Sequence, residues 1–210
     1  MTIKHISLSE LEGLEAKDFI AKKIGSKKSL LKGDFEVCKL INKGITEKLI
    51  PAAVLILIIE RNNKLSVIFT KRNAKLKNHA GQISFPGGKK DSTDISIEQT
   101  AVRETCEEIG LIIKQSEIIG KMSTWETRTG FLITPVLAFI SDPPKLKKNN
   151  FEVDEIFEVP LRYLFNPNNF ILEKLCFEKK HYEFYAIKYL NYYIWGATAG
   201  LIVNLYNLLR

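Results

Sequence analysis

Eight consecutive apolar residues, AAVLILII at positions 52–59, constrain this chain more than any other stretch. A membrane-spanning helix needs about 20 such residues, so the run is too short to cross a bilayer. Set between Pro51 and Glu60, it reads as a buried strand. The turn residues RNNK follow at 61–64, and LSVIFT at 65–70 reads as the returning strand of a hairpin. With 210 residues, 45% hydrophobic and 26% charged, the chain has the composition of a globular protein with one real core.

Further along, residues 111–113, 118–119, 131–140, 155–160 and 182–190 offer strand material. A short helix is predicted over 161–165 and a closing helix over 194–209. Strands and helices interleave without a repeat period, which predicts an α/β fold, an α/β/α sandwich around a mixed β-sheet. Residues 1–50 differ in texture, being charged and lysine-rich with short amphipathic pieces at 8–14 and 30–40. They read as an N-terminal helical arm, with the main domain over 51–210.

The formal charge of +7 admits nucleic acid, an anionic membrane surface or an anionic small ligand. Its lysines are scattered, and no basic tail with interleaved aromatics is present, so neither nucleic acid nor membrane is the expected partner. Cys38, Cys106 and Cys176 are odd in number, widely spaced and outside any metal-ligand pattern. That usage, with no secretory leader pattern at the start, points to a reducing cytoplasm.

The densest chemistry lies in FPGGKKDSTDISIEQTAVRETCEEIGL, residues 85–111. At about 100° per residue, Ala101, Val102, Thr105, Cys106 and Ile109 fall in one arc of a helix, with Arg103, Glu104, Glu107 and Glu108 in the other. A solvated acidic face is the ordinary reading of such a helix. Against it, Glu104 and Glu108 are like charges at i and i+4 near a helix C-terminus, where repulsion and the macrodipole both disfavour them. A divalent cation reverses both penalties, and carboxylates are the hard ligands that Mg2+ or Mn2+ prefers. Gly87 and Gly88 let the backbone turn sharply and approach a ligand or metal closely.

Gly88, Arg103-Glu104, Glu107-Glu108 and Gly110-Leu111 resemble the Nudix box, G-x5-E-x7-R-E-U-x-E-E-x-G-U with U aliphatic. Here one extra residue separates Gly88 from Arg103, and Asp94 fills the central acidic position. Both departures resemble the coenzyme A diphosphatase branch. So does TKRNAKLKNHAGQISFPGG at 70–88, although Asn73 stands where that branch has serine and Lys77 where it has arginine. Segments EIFEVPL at 155–161 and YIWGATA at 193–199 are similar to later stretches of the same branch.

The resemblance implies hydrolysis of the pyrophosphate of coenzyme A or a derivative to 4′-phosphopantetheine and 3′,5′-ADP, with a divalent ion, Mg2+ or Mn2+, as cofactor. It implies that Glu104, Glu107 and Glu108 hold metal and that Arg103 orients a carboxylate or the glycine loop. Glu107 is then a ligand or a general base, and Asp154 or Glu155 is a further candidate base. Arg72, Lys77, His79, Gly87 and Gly88 are the expected substrate-binding residues, with Arg72, Lys75 and Lys77 supplying donors for the 3′-phosphate. Two alternatives stand beside this reading: hydrolysis of a sugar diphosphate, dinucleotide or capped RNA, and a non-catalytic nucleotide-binding module. Trp125 and Trp195 read first as core residues, with adenine stacking second.

Overall fold

A computed structural model describes residues 13–26, 31–37, 49–177 and 180–210. At its centre lies β1 (Ile50–Arg61), the predicted apolar strand, which turns through Asn62 and Asn63 into antiparallel β2 (Lys64–Arg72). Both asparagines have positive φ, 49° and 58°, the backbone that a two-residue hairpin turn requires. On its other side β1 pairs in parallel with β7 (Phe131–Ser141). The short strands β3 (Ile83–Ser84) and β4 (Gly87–Lys89) pair with β2 and β1, and β5 (Ile118–Lys121) and β6 (Trp125–Glu126) pair with β7. Strand β8 (Val153–Pro160) pairs with β2, completing a mixed sheet.

Why β1 is apolar without alternation follows from its two faces. Ile56 and Ile58 point into one core with Phe69, Trp125 and Leu205, whereas Leu55, Leu57 and Ile59 point into a second with Ala101 and Ile109. A strand covered on both sides has no polar face to display. Helix α3 (Ile97–Ile109) covers the second face. Helix α5 (Ala197–Leu209) covers the first, together with α1 (Gly13–Ser26), which inserts Ala16, Ile20 and Ile24 at fourfold spacing. The result is the predicted α/β/α sandwich.

Short α2 (Asp34–Val37) and the residues before it are stitched to the domain. Asn204 on α5, buried, donates from Nδ2 to the Leu31 carbonyl (2.7 Å) and accepts the Leu31 N–H on Oδ1 (3.1 Å). The Trp125 indole N–H donates to Asp34 Oδ1 at 2.9 Å. Within 1–50, therefore, the described helices α1 and α2 are packed into the main core, through Ile20 and Val37. Residues 1–12, 27–30 and 38–48, Cys38 included, fall outside the described residues.

After α4 (Leu161–Leu164), strands β9 (Ile171–Phe177), β10 (Lys180–Tyr189) and β11 (Tyr192–Trp195) form a separate antiparallel sheet, and its Ile187 and Ile194 join the first core. Three local expectations are corrected. Residues 111–113 are not a strand, because Leu111 and Ile113 simply pack beneath α3 as the chain leaves it. The closing helix starts at Ala197, since Ile194 belongs to β11. Trp125 is core, but Trp195 is 39% exposed beside Phe184. No helix among the described residues is long and apolar enough to cross a membrane.

Candidate active site

Helix α3 begins at Ser96, whose side chain accepts the Gln99 N–H (3.1 Å), and ends at Gly110, whose left-handed φ of 68° returns its N–H to the Cys106 carbonyl. These caps fix the helix phase and present Arg103 to four partners. Nε and Nη2 grip the two oxygens of Asp94 at 3.0 and 2.9 Å, Nη1 donates to Glu104 (2.9 Å) and Glu107 (3.1 Å), and Nη2 also reaches the Lys89 carbonyl. Asp94 is buried and accepts the Thr100 hydroxyl as well. The Arg103 guanidinium holds its carboxyl well below the usual range. Arg103 thus ties the helix to both the preceding loop and the glycine strand.

Gly87 and Gly88 lie in β4, paired with Val54 and Ala53 of β1. They do not make a sharp turn, as the sequence suggests; the chain here is a short strand. Their need for glycine is steric, because a Cβ on Gly88 would sit 2.6 Å from Glu104 Oε1, and one on Gly87, at φ 155°, would overlap the backbone of β1. Glu104 is thereby packed directly under the glycine strand.

Glu108 corrects the predicted helix phase: it is 2% exposed, facing inward with Ala101, Thr105 and Ile109, whereas Cys106 is exposed. Carboxylates, not only apolar groups, therefore line the buried edge of α3. Desolvation pushes the Glu108 carboxyl up to about 8, Arg72 opposes the rise, and Glu104 and Glu152 add to it. Glu104 is raised too, chiefly by desolvation. Arg72 Nη1 lies 3.6 Å from Glu108 Oε1, and the Thr70 hydroxyl is at 3.5 Å from Oε2. The Arg72 Nε is buried without a hydrogen-bond partner.

The structure brings Arg72, Arg103, Glu104, Glu107, Glu108, Gly87 and Gly88 together. Arg72 meets the carboxylates instead of standing with Lys75 and Lys77, which are exposed on the loop between β2 and β3. His79 is on that loop at φ 58°, its Nδ1 bonded to Gln82 Oε1 (2.8 Å). Neither it nor Lys77 contacts a carboxylate of the site. Asp154 accepts the Ala74 N–H and Glu155 accepts the Tyr192 hydroxyl, so both are occupied by structural bonds. The acidic residue of this segment that acts electrostatically on Glu104 and Glu108, Glu152, was not singled out by the sequence. FEVDE at 151–155 shows three carboxylates close together, and nothing in the sequence ranks them.

The NUDIX domain family matches residues 49–186. This chain belongs to the Nudix family. It is 34% identical over 154 residues to the uncharacterized Nudix hydrolase NudL of Pectobacterium atrosepticum, covering 73% of this chain and 80% of that protein. It is 33% identical over 157 residues to the peroxisomal coenzyme A diphosphatase of Mus musculus, covering 72% of this chain and 66% of that one. A MutT/Nudix family protein from Enterococcus faecalis shares the fold, with a TM-score of 0.55 at 18% identity over 78% of this chain and 63% of its own. The Nudix chain is accordingly a hydrolase acting on pyrophosphate bonds.

Nudix hydrolases generally need divalent ions such as Mg2+ or Mn2+. The carboxylates here fit that requirement: hard oxygen donors, two of them desolvated and repelling each other, are relieved by a cation placed between them. Among the described residues, however, no three such side chains already converge on one point. Arginines hold them instead, Arg103 on Glu104 and Glu107 and Arg72 on Glu108.

Proposed function

We propose that this Nudix hydrolase cleaves the pyrophosphate of coenzyme A or a close derivative, giving 4′-phosphopantetheine and 3′,5′-ADP. One observation carries the reading. The segment resembling the coenzyme A branch leaves β2 directly after Arg72, whose guanidinium touches the buried Glu108, so that segment forms a wall of the carboxylate site. The relative named as a coenzyme A diphosphatase supports the same substrate. Exposed, free Cys106 and Cys176 support a reducing cytoplasm as the compartment.

In this reading Glu104, Glu107 and Glu108 hold Mg2+ or Mn2+, which when bound neutralises pyrophosphate charge and acidifies water. Asp94 fixes Arg103, and Arg103 fixes Glu104 and Glu107. Arg72, whose side chain is partly exposed beside Glu108, grips a pyrophosphate oxygen. Gly88 leaves room for the Glu104 carboxylate and Gly87 for the backbone of β1, and His79, Lys75 and Lys77 stand on the loop that receives the 3′-phosphate. Water forms a bond to one phosphorus as the bridging P–O bond breaks. The bridging oxygen leaves on the other phosphate, and the proton passes to a carboxylate. Glu107 Oε2 already accepts from Arg103, whereas among the described residues the Glu152 carboxylate accepts only the neutral Asn149 amide, which makes Glu152 the base we favour.

Incubating the protein with coenzyme A, dephospho-coenzyme A, ADP-ribose and a dinucleoside polyphosphate, with Mg2+ or Mn2+, tests this by mass spectrometry of the products. Cleavage of coenzyme A to 4′-phosphopantetheine and 3′,5′-ADP is expected. Cleavage of the other substrates alone would refute it. Since Arg72 sits at the carboxylates, Arg72→Ala is expected to slow coenzyme A and dephospho-coenzyme A alike.

A further inference from the structure

Between β7 and β8 a turn at residues 149–152 holds the Phe151 side chain 87% exposed. A lone apolar side chain in water is ordinary. What sets this one apart is how firmly its backbone is held, and where. Asn149 accepts the Phe151 N–H on Oδ1 (3.1 Å) and the Glu152 and Val153 N–H groups on its carbonyl (3.1 and 2.8 Å). Its own N–H donates to the Glu108 carbonyl (2.9 Å), occupying an acceptor at the open end of α3. From the opposite side, Asn73 donates from Nδ2 to the Asn150 carbonyl and from its backbone N–H to the Glu152 carbonyl, both at 2.8 Å. Both neighbours of Phe151 are thus bolted to the walls of the carboxylate site, and the next side chain, Glu152, acts electrostatically on Glu104 and Glu108.

We propose that the Phe151 ring is a stacking platform for the purine base of the substrate. The inference rests on the reading of the protein as a hydrolase of a nucleoside diphosphate derivative. A purine joined through ribose to the phosphates is planar and amphipathic, and an exposed aromatic ring carried on a bonded turn at the edge of the carboxylate site is a surface that takes it. The other half of coenzyme A is a flexible chain with no ring to stack. Asn73, the departure from the branch pattern noted above, becomes the residue that positions the platform.

Titration calorimetry on the full chain tests this, with ADP, 3′,5′-adenosine bisphosphate and 4′-phosphopantetheine as probes of the parent, Phe151→Ala and Phe151→Trp. Loss of the ring is expected to raise the Kd of both adenine nucleotides about tenfold, the scale of one base–aromatic stack. The 4′-phosphopantetheine Kd is expected to be unchanged, tryptophan to restore nucleotide affinity, and Tm to hold because the ring buries little. Unchanged nucleotide affinity in Phe151→Ala would overturn the proposal. So would a loss confined to 4′-phosphopantetheine, or a parent with no ADP affinity. Failure of the coenzyme A reading is separate: it appears as a parent that binds ADP but does not cleave coenzyme A, and the ADP comparison still decides the role of Phe151.

Discussion

Alanine placed in turn at Gly87 and Gly88 separates two reasons for a glycine pair that look identical in sequence. At Gly87 the new Cβ overlaps the Ala53 carbonyl and comes within 2.7 Å of Val54 Cα, both backbone of the central strand. Neither atom can withdraw without breaking the β1–β4 pairing. Overpacking costs about 1–3 kcal/mol and a residue held at φ 155° about as much again. A total near 4 kcal/mol lowers Tm by about 8–16 °C in a domain of this size. At Gly88 the obstacle is the end of the Glu104 side chain, with Oε1 at 2.6 Å from the new Cβ. That carboxylate can swing aside, so the lost Arg103–Glu104 bond, about 0.5–1 kcal/mol, is offset by the similar gain from restricting the unfolded chain.

Stability is therefore expected to be nearly unchanged in Gly88→Ala, while the carboxylate moves by about 1 Å, a misplacement that costs on the order of 100-fold in turnover. Melting of the metal-free proteins and turnover with Mg2+ on whichever substrate the parent cleaves read the two effects apart. Gly88→Ala at parent turnover would refute the packing of Glu104 as a functional constraint. Gly87→Ala at parent Tm would refute the strand contact.

Other outcomes follow from the same geometry. Glu104→Gln and Glu108→Gln are expected to lose at least about 100-fold in turnover, with Glu108→Gln melting no lower than the metal-free parent because a desolvated acid becomes a neutral amide; paired melts and rate assays check both. Asp94 has a folded-state acidity stronger than in the unfolded chain, so its contribution is fully present above the ordinary carboxylate range and is lost as pH falls below it. Asp94→Asn should flatten the acid limb of Tm against pH and cost about 2–3 kcal/mol at pH 7, read by urea unfolding. Ala101→Asp is expected to prevent folding, whereas Val102→Asp, at a half-buried position, should give a folded but less stable protein; soluble yield and circular dichroism distinguish them.

The sheet and the carboxylate helix were legible because their signals are local. An apolar run without alternation, an asparagine turn and the Arg-Glu spacing each act within a few residues. Less legible was the orientation of Glu108. Hydropathy puts a glutamate outside, and what meets this carboxylate on the inside is Arg72 and Thr70 of β2, distant in the sequence. Glu152 was hidden for a similar reason, since its selection over Asp154 and Glu155 depends on bonds from Ala74 and Tyr192 in distant segments. Strand β9 of the small sheet escaped because it carries Glu173 and Lys174 amid apolar residues, which reads as loop until β10, the strand expected over 182–190, lies beside it and pairs Lys174 with Glu183.

The clasp of Asn204 on Leu31 bears on where the protein can be cut. The family match spans 49–186 and omits α1, the residues around α2, β11 and α5. Yet Ile20, Ile194, Leu201 and Leu205 are inseparable from the core that covers one face of β1. Trimming to the matched interval would strip that face and orphan the Trp125 indole N–H, along with much of the sheet's lining. The unit that evolution recognises as a module is thus smaller than the unit that thermodynamics recognises as folded, and the difference is a cuff made from both ends of the chain.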